Sequence, residues 1–191
     1  MWYKTLQSGG HPIYGSGRWS LPTKRPDGTW TPGEWMPVVD NPALCVRGYH
    51  ATDIEHVLQH YGPFLYELEY APDAVIARGD DKVAGSQARL LRQIETWNER
   101  NLWLLACDFA ERVLPIYEAR FPGDDRPRRA IEVRRRYEMG QATLEELANA
   151  YAAAADAAAN AADADAAYAV AGGFERAWQV AKLREMLGVE K

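Results

Sequence analysis

Six arginines lie within the eleven residues RPRRAIEVRRR, positions 126–136, of a chain whose formal net charge is −5. Guanidinium groups suit the binding of phosphates and carboxylates, because each presents several donors in one rigid plane. Four of them fall on one arc of a helix, which we call the arginine arc: Arg128, Arg129, Arg135 and Arg136. Glu132 lies in the middle of this arc, three or four residues from each arginine, and is predicted to pair with them.

The charge balance around the arginine arc argues against a nucleic-acid site. Between Glu118 and Glu138 there are seven arginines and five acidic residues, an excess of two positive charges. Aromatic side chains for base stacking are not interleaved with the arginines, since Tyr137 falls on the opposite arc with Ala130 and Val133. The pattern predicts a largely solvated face, and the alternative is that the four arginines contact an anionic or protein partner.

Histidines and cysteines form no complete metal-binding motif. His56 and His60 are four residues apart, but neither HExxH nor CxxC occurs in the sequence, and the two histidines fit the polar face of a short helix. Cys45 and Cys107 are the only cysteines, which fits a reducing compartment better than a disulfide scaffold. No metal site is therefore expected.

Helical patterns position the arginine arc and dominate the chain from Thr96 onward. Pro127 is well placed to begin the helix of the arc and Gly140 to end it. Thr143 and Glu146 have capping-box spacing at the start of an alanine-rich helix that is predicted to run to Ala171. A break at Gly172-Gly173 precedes a last helix from Phe174 to about Leu187.

The first half of the chain has a different pattern, in which Gly, Pro and Trp separate short strands. FLYELEY, residues 64–70, alternates apolar and acidic residues and predicts a strand with one buried face, and DAVIAR, residues 73–78, predicts another strand. Thr52 is predicted to open a short helix that ends at Gly62. DKVAGSQARLLRQI, residues 81–94, is interpreted as a helix.

These elements predict an α+β protein with two domains. Residues 1–95 form a small β-rich domain, and residues 96–191 form an all-α helical hairpin or bundle with a long alanine-rich helix. Apolar residues make up 47% of the chain, which is enough for a packed core. Neither a signal peptide nor a membrane span is evident, so we expect a cytoplasmic protein without a membrane partner.

The stretch GYHATDIEHVLQHYGPFLYELEY, residues 48–70, resembles part of an ADP-ribosyltransferase fold, in particular the small rifampicin-modifying type. The resemblance implies an NAD site between two small sheets. Tyr49 and His50 would lie near the nicotinamide, and Glu67 or Glu69 would be the catalytic acid.

Longer resemblances cover each half of the chain. The segments LCVRGYHAT and LYELEY, with others between residues 2 and 95, resemble an uncharacterised domain of phage and bacterial proteins. Residues 100–187 resemble the putative immunity protein family of bacterial toxin systems. The resemblance is carried by the segment LWLLACDFAERVLPIYEARFPGDDRPRRAIEVRRRYEMG and by the alanine-rich helix after it. This second resemblance implies a helical module that binds another protein.

Two functions follow as hypotheses. The first is a non-enzymatic protein-binding module without a cofactor: an immunity protein, or an inhibitor of a bacterial defence system carried by a phage or mobile element. Its partner would be a toxin or a defence-system component. The alternative is an NAD-dependent ADP-ribosyltransferase-like enzyme that uses the N-terminal domain.

Overall fold

The computed structural model of the protein describes residues 1–160 and 172–189. The chain divides into two compact units, Met1–Asn98 and Glu99–Lys191. The first unit is built from short strands and the second from helices, so the predicted α+β class is confirmed. None of the described helices has the length and apolar composition that crossing a bilayer requires.

Eight strands form three small antiparallel sheets in the N-terminal unit. The strands are β1 (Trp2–Leu6), β2 (Thr23–Lys24), β3 (Trp30–Thr31), β4 (Tyr49–Ala51), β5 (Phe64–Tyr70), β6 (Ile76–Arg78), β7 (Val83–Gly85) and β8 (Ala88–Gln93). The sheets have the strand orders β1-β5-β8, β2-β3 and β4-β7-β6. A bridge between Tyr3 and Thr52 joins the first and third sheets through reciprocal main-chain hydrogen bonds of 2.8 and 3.0 Å.

The core of this unit lies between the strands of the two three-stranded sheets. Its buried residues are Leu6, Trp19, Ala51, Tyr66, Leu68, Val83, Ala88 and Leu90. The predicted strand at FLYELEY is confirmed as β5, but four consecutive residues, 65–68, are buried instead of one alternating face. A register shift between Glu67 and Leu68 accompanies this burial, and hydrogen bonds from Arg92 stabilise the buried carboxylate of Glu67.

The helix predicted from Thr52 is wrong. Residues 54–56 form a turn and only Val57–Gln59 is a short 3-10 helix. The Asp53 carboxylate accepts hydrogen bonds from the main-chain N–H groups of Glu55 and His56, which stabilises a turn. The Thr52 hydroxyl donates to the carbonyl oxygen of Asp81 at 2.7 Å and is therefore not a helix cap.

The helix predicted over residues 81–94 is also wrong, because this segment forms β7 and β8. β7 pairs with β4 and β6, while β8 pairs with β5. Gly85 suits this arrangement, since a Cβ at that position would collide with the ring of Tyr70. Strand pairing with distant residues thus overrides the local helical pattern.

The C-terminal unit contains four described helices: α1 (Glu99–Arg120), α2 (Arg126–Glu138), α3 (Leu144–Asn160) and α4 (Gly172–Leu187). Pro127 lies in the first turn of α2, and Gly140 follows the helix with a positive φ of 72°. The predicted capping box is confirmed: Thr143 N–H donates to Glu146 Oε2 at 2.7 Å, and Glu146 N–H donates to Thr143 Oγ1 at 3.1 Å. The alanine-rich helix was predicted to reach Ala171, but residues 161–171 lie outside the described part. The last helix begins at Gly172, two residues earlier than expected.

Candidate functional site

The arginine arc lies on α2, which packs against both α1 and α3. Asp124 orders the start of this helix, because its carboxylate accepts hydrogen bonds from the Arg126 side chain and from the Tyr117 hydroxyl. The Arg126 guanidinium holds the pKa of Asp124 well below its ordinary value. The chain therefore enters α2 through a fixed network of charge-assisted hydrogen bonds.

Three of the four arginines in the arc have acidic partners on neighbouring helices. Arg128 binds Glu118 on α1 with two hydrogen bonds of 2.7 and 2.8 Å. The guanidinium of Arg135 lies 2.6 Å from Asp108 and 2.9 Å from Glu111, both on α1. Arg136 donates to the carbonyl oxygen of Gln141 at 3.0 Å and lies 3.5 Å from Glu146. The carboxylates in direct contact with these arginines thus come from α1 and α3, and Glu132 acts on Arg128 only at longer range.

Arg129 differs from the other arginines of the arc. It is exposed, and its side chain forms no ion pair with any residue that the structure describes. Glu132 is also exposed and forms no ion pair within the same residues. The outer surface of α2 therefore presents one free positive and one free negative charge beside arginines that are already neutralised.

Arg134 is a buried arginine outside the predicted arginine arc. Its guanidinium carbon lies 3.8 Å from the ring centroid of Trp103 and 5.6 Å from that of Tyr137. A nitrogen of the same group lies 2.6 Å from the Glu138 carboxylate, and both side chains are about nine-tenths buried. The spacing of four residues between Arg134 and Glu138 is the signal that could have revealed this pair.

The N-terminal unit contains a cleft of about 670 Å³, and Tyr49 and His50 are among the residues that line it. The Tyr49 hydroxyl donates to the carbonyl oxygen of Pro37 at 2.7 Å. His50 Nε2 accepts a hydrogen bond from the Cys45 N–H at 2.9 Å, and Nδ1 lies 3.1 Å from the Gly48 carbonyl oxygen. This pattern requires a neutral imidazole with its proton on Nδ1. Burial and the nearby Lys4 lower the pKa of His50, which favours the same neutral form.

The other two residues of the ADP-ribosyltransferase hypothesis do not line the cleft. Glu67 is buried and accepts hydrogen bonds of 2.7 and 2.5 Å from Arg92, which raise the pKa of that guanidinium. Glu69 lies 2.5 Å from Arg89. The structure therefore places Tyr49 and His50 in the cleft and ties each candidate carboxylate to an arginine of β8.

The remaining histidines and the cysteines are placed in separate surroundings. His56 Nδ1 lies 2.7 Å from Asp53, and His60 Nε2 lies 3.1 Å from Asp81. Cys107 is buried, and burial raises the pKa of its thiol. Within residues 1–160 and 172–189, no three His, Cys, Asp or Glu side chains are grouped so that they could hold a metal ion.

The helical region that contains the arginine arc matches a known sequence family. Residues 92–185 match the family model described as Imm-5 like putative immunity protein. The matched region contains α1, α2 and α3 and nearly all of α4, so the predicted resemblance of the C-terminal half is confirmed. No curated protein and no solved structure matches the chain. The resemblances stated for the N-terminal half stay predictions.

Proposed function

We propose that this chain is an immunity-type protein, which binds and neutralises a toxin protein through its helical unit. The match of residues 92–185 to the Imm-5 like putative immunity protein family is the observation that carries this proposal. The helices of that region are tied together by ion pairs between α1, α2 and α3. Such cross-links favour a rigid surface, and a rigid surface loses little conformational entropy when a partner binds.

The outer surface of α2 is the proposed contact surface, with the arginine arc as its centre. Arg129 is the preferred contact, because its charge has no carboxylate partner within the described residues. Arg128, Arg135 and Arg136 are held by acids and would add oriented N–H donors more than net charge. A partner that fits this surface has a carboxylate opposite Arg129 and a basic group opposite Glu132.

The proposal has two versions, which differ in the kind of protein that the chain binds. A toxin would make this chain an immunity protein in the strict sense. A component of a bacterial defence system would make it an inhibitor carried by a phage or mobile element. Both versions use the same surface and predict a stoichiometric complex without catalytic turnover.

Affinity capture followed by a growth assay tests the proposal. The tagged full chain is purified from the host that encodes it, and each co-purified protein is identified by mass spectrometry. Each captured protein is then produced in a heterologous bacterium with and without the chain. We expect one of them to arrest growth alone and to be harmless when the chain is present.

Charge reversal tests the contact surface in the same assay. Arg129→Glu is expected to abolish protection, because it places like charges across the interface. Arg100→Glu is the matched control, since Arg100 is an exposed arginine in the first turn of α1 outside the arc. Protection that survives Arg129→Glu would contradict the role of the arc, whereas a chain that protects against none of the captured proteins would contradict the immunity function.

A further inference from the structure

The residues that line the cleft of the N-terminal unit include several basic side chains and not one Asp or Glu. The basic residues are Lys4, Arg18, Arg47 and Lys82, and the histidines are His50 and His60. This composition contrasts with the chain as a whole, which carries a net charge of −5. A cleft with walls of one charge sign concentrates its field and attracts ligands of the opposite sign.

Lys4 is the strongest element of this site. Its ammonium nitrogen lies 5.9 Å from the ring centroid of Trp19 and forms no ion pair with any residue that the structure describes. Burial lowers the pKa of Lys4 to about 8. A partly buried ammonium group without a carboxylate is costly to the fold, and a ligand that supplies a negative charge there removes this cost.

Some of the other charged groups of the cleft lie beside a carboxylate that neutralises them, and others form no ion pair within the described residues. Asp81 lies 3.1 Å from His60 and 3.7 Å from Lys82, so its carboxylate balances the charge of Lys82. Arg18 and Arg47 each donate from Nε to a main-chain carbonyl oxygen at 2.7 Å, and their terminal N–H groups form no ion pair with described residues. Three unbalanced positive charges therefore line the cleft: Lys4, Arg18 and Arg47.

Aromatic rings complete the cleft. Trp19 and Tyr49 pack edge to face with their centroids 5.2 Å apart, and both line the cleft. Tyr14 lies on the rim beside Gly15 and is 89% exposed. Trp19 is itself buried and supports the wall of the cleft, so the exposed ring of Tyr14 is the one that stacks on the flat face of a heterocycle, while the basic groups bind its charged part.

We propose that the cleft binds an organic phosphate with several negative charges and a flat ring, a molecule of nucleotide size. Three unbalanced positive charges match a diphosphate better than a single carboxylate, because the ligand must neutralise more than one of them. The volume of about 670 Å³ lies in the range that encloses ligands of this size. This inference does not depend on the immunity function, which concerns the helical unit.

Isothermal titration of the full chain with ADP tests the proposal, with adenosine and inorganic pyrophosphate as separate titrants. We expect ADP to bind with an affinity that falls as salt is added, since exposed charges are screened. Adenosine should bind much more weakly, because it lacks the groups that pair with the three cations. Pyrophosphate should bind more weakly than ADP, because it lacks the ring. The proposal would be overturned if titration with ADP at low salt produced no heat of binding. It would also be overturned if adenosine bound as tightly as ADP.

Substitutions assign the binding to the cleft. Lys4→Met is expected to weaken ADP binding by about tenfold or more, because the partly buried ammonium is its central contact. Lys24→Met is the matched control, since Lys24 belongs to the same unit but pairs with Glu95 outside the lining of the cleft. Arg18→Ala and Arg47→Ala provide a second route if Lys4→Met alters the fold. Unchanged ADP binding in Lys4→Met, or in the two arginine variants together, would contradict the assignment.

Discussion

Arg128 and Glu118 join α2 to α1 through two parallel hydrogen bonds, from Nε and Nη2 of the guanidinium to the two carboxylate oxygens at 2.7 and 2.8 Å. The same carboxylate raises the pKa of Arg128, and the hydrogen bonds from Arg128 lower the pKa of Glu118. A cluster that looks strongly basic in the sequence is thus partly a set of cross-links between helices.

The Arg128–Glu118 pair should make the helical unit sensitive to acid. Because the folded pKa of Glu118 lies below its ordinary value of 4.5, the pair contributes stability above about pH 4.5 and loses it as the pH falls through the folded pKa. Glu118→Gln should therefore lower the urea midpoint slightly at pH 6, and the loss should shrink as the pH falls below 4.5 towards pH 2. Circular dichroism at 222 nm measures this, with Glu132→Gln as the unpaired control. An equal loss at both pH values would show that the ion pair is not the cause.

Removal of the Glu138 carboxylate should destabilise the helical unit strongly. Glu138→Gln leaves the guanidinium of Arg134 buried against Trp103 without its counter-ion. Breaking one partner of a buried ion pair costs about 3 kcal/mol or more. Urea unfolding followed by circular dichroism tests this value. Glu132→Gln, on the exposed surface of the same helix, should stay close to the wild-type protein, and a similarly small effect of Glu138→Gln would refute the role of the buried pair.

Thr143→Ala should cost about 1 kcal/mol of stability, because it removes the side chain that caps the N-terminus of α3. Thr143→Ser keeps the hydroxyl oxygen and should restore most of the loss. Thermal unfolding at 222 nm compares the three proteins. The capping role is disproved if serine and alanine destabilise α3 equally.

Lys4 should make the N-terminal unit more stable in alkaline solution. Its pKa is about 8 in the folded chain and 10.5 ordinarily, so the unfolded chain binds the proton more tightly. Stability should therefore rise as the pH increases from about 8 to 10.5. His50 is close enough for the charge of Lys4 to lower its pKa, and its neutral imidazole supplies no negative charge to Lys4.

The same shift predicts that Lys4→Met stabilises the N-terminal unit by up to about 3 kcal/mol near pH 7, and by less near pH 10. Urea unfolding followed by tryptophan fluorescence at the two pH values measures the difference. Lys24→Met should show no such dependence on pH, because Lys24 is exposed and pairs with Glu95. Destabilisation of the unit by Lys4→Met at pH 7 would show that Lys4 supports the fold instead of straining it.

Most of the elements that the sequence predicted correctly depend on neighbouring residues. β5 follows from the composition of FLYELEY, and α2 follows from Pro127 at its start and Gly140 after its end. The cap of α3 follows from the three-residue spacing between Thr143 and Glu146. In each case the pattern that identifies the element lies within one or two turns or along one strand, so the sequence alone predicts the element, although β5 takes its hydrogen bonds from β1 and β8.

The remaining features depend on residues that are distant in the sequence. β7 and β8 replace a predicted helix because β4 and β5 supply their hydrogen-bond partners, and the arginine arc is neutralised by acids on α1 and α3. Lys4 shows the same dependence, because nothing in WYKTL indicates that its partly buried ammonium lies 5.9 Å from the Trp19 ring centroid in a cleft whose lining has no carboxylate. The burial of a side chain and the presence of a counter-charge depend on residues that are distant in the sequence. Only the tertiary structure brings those residues together, so only it determines both properties.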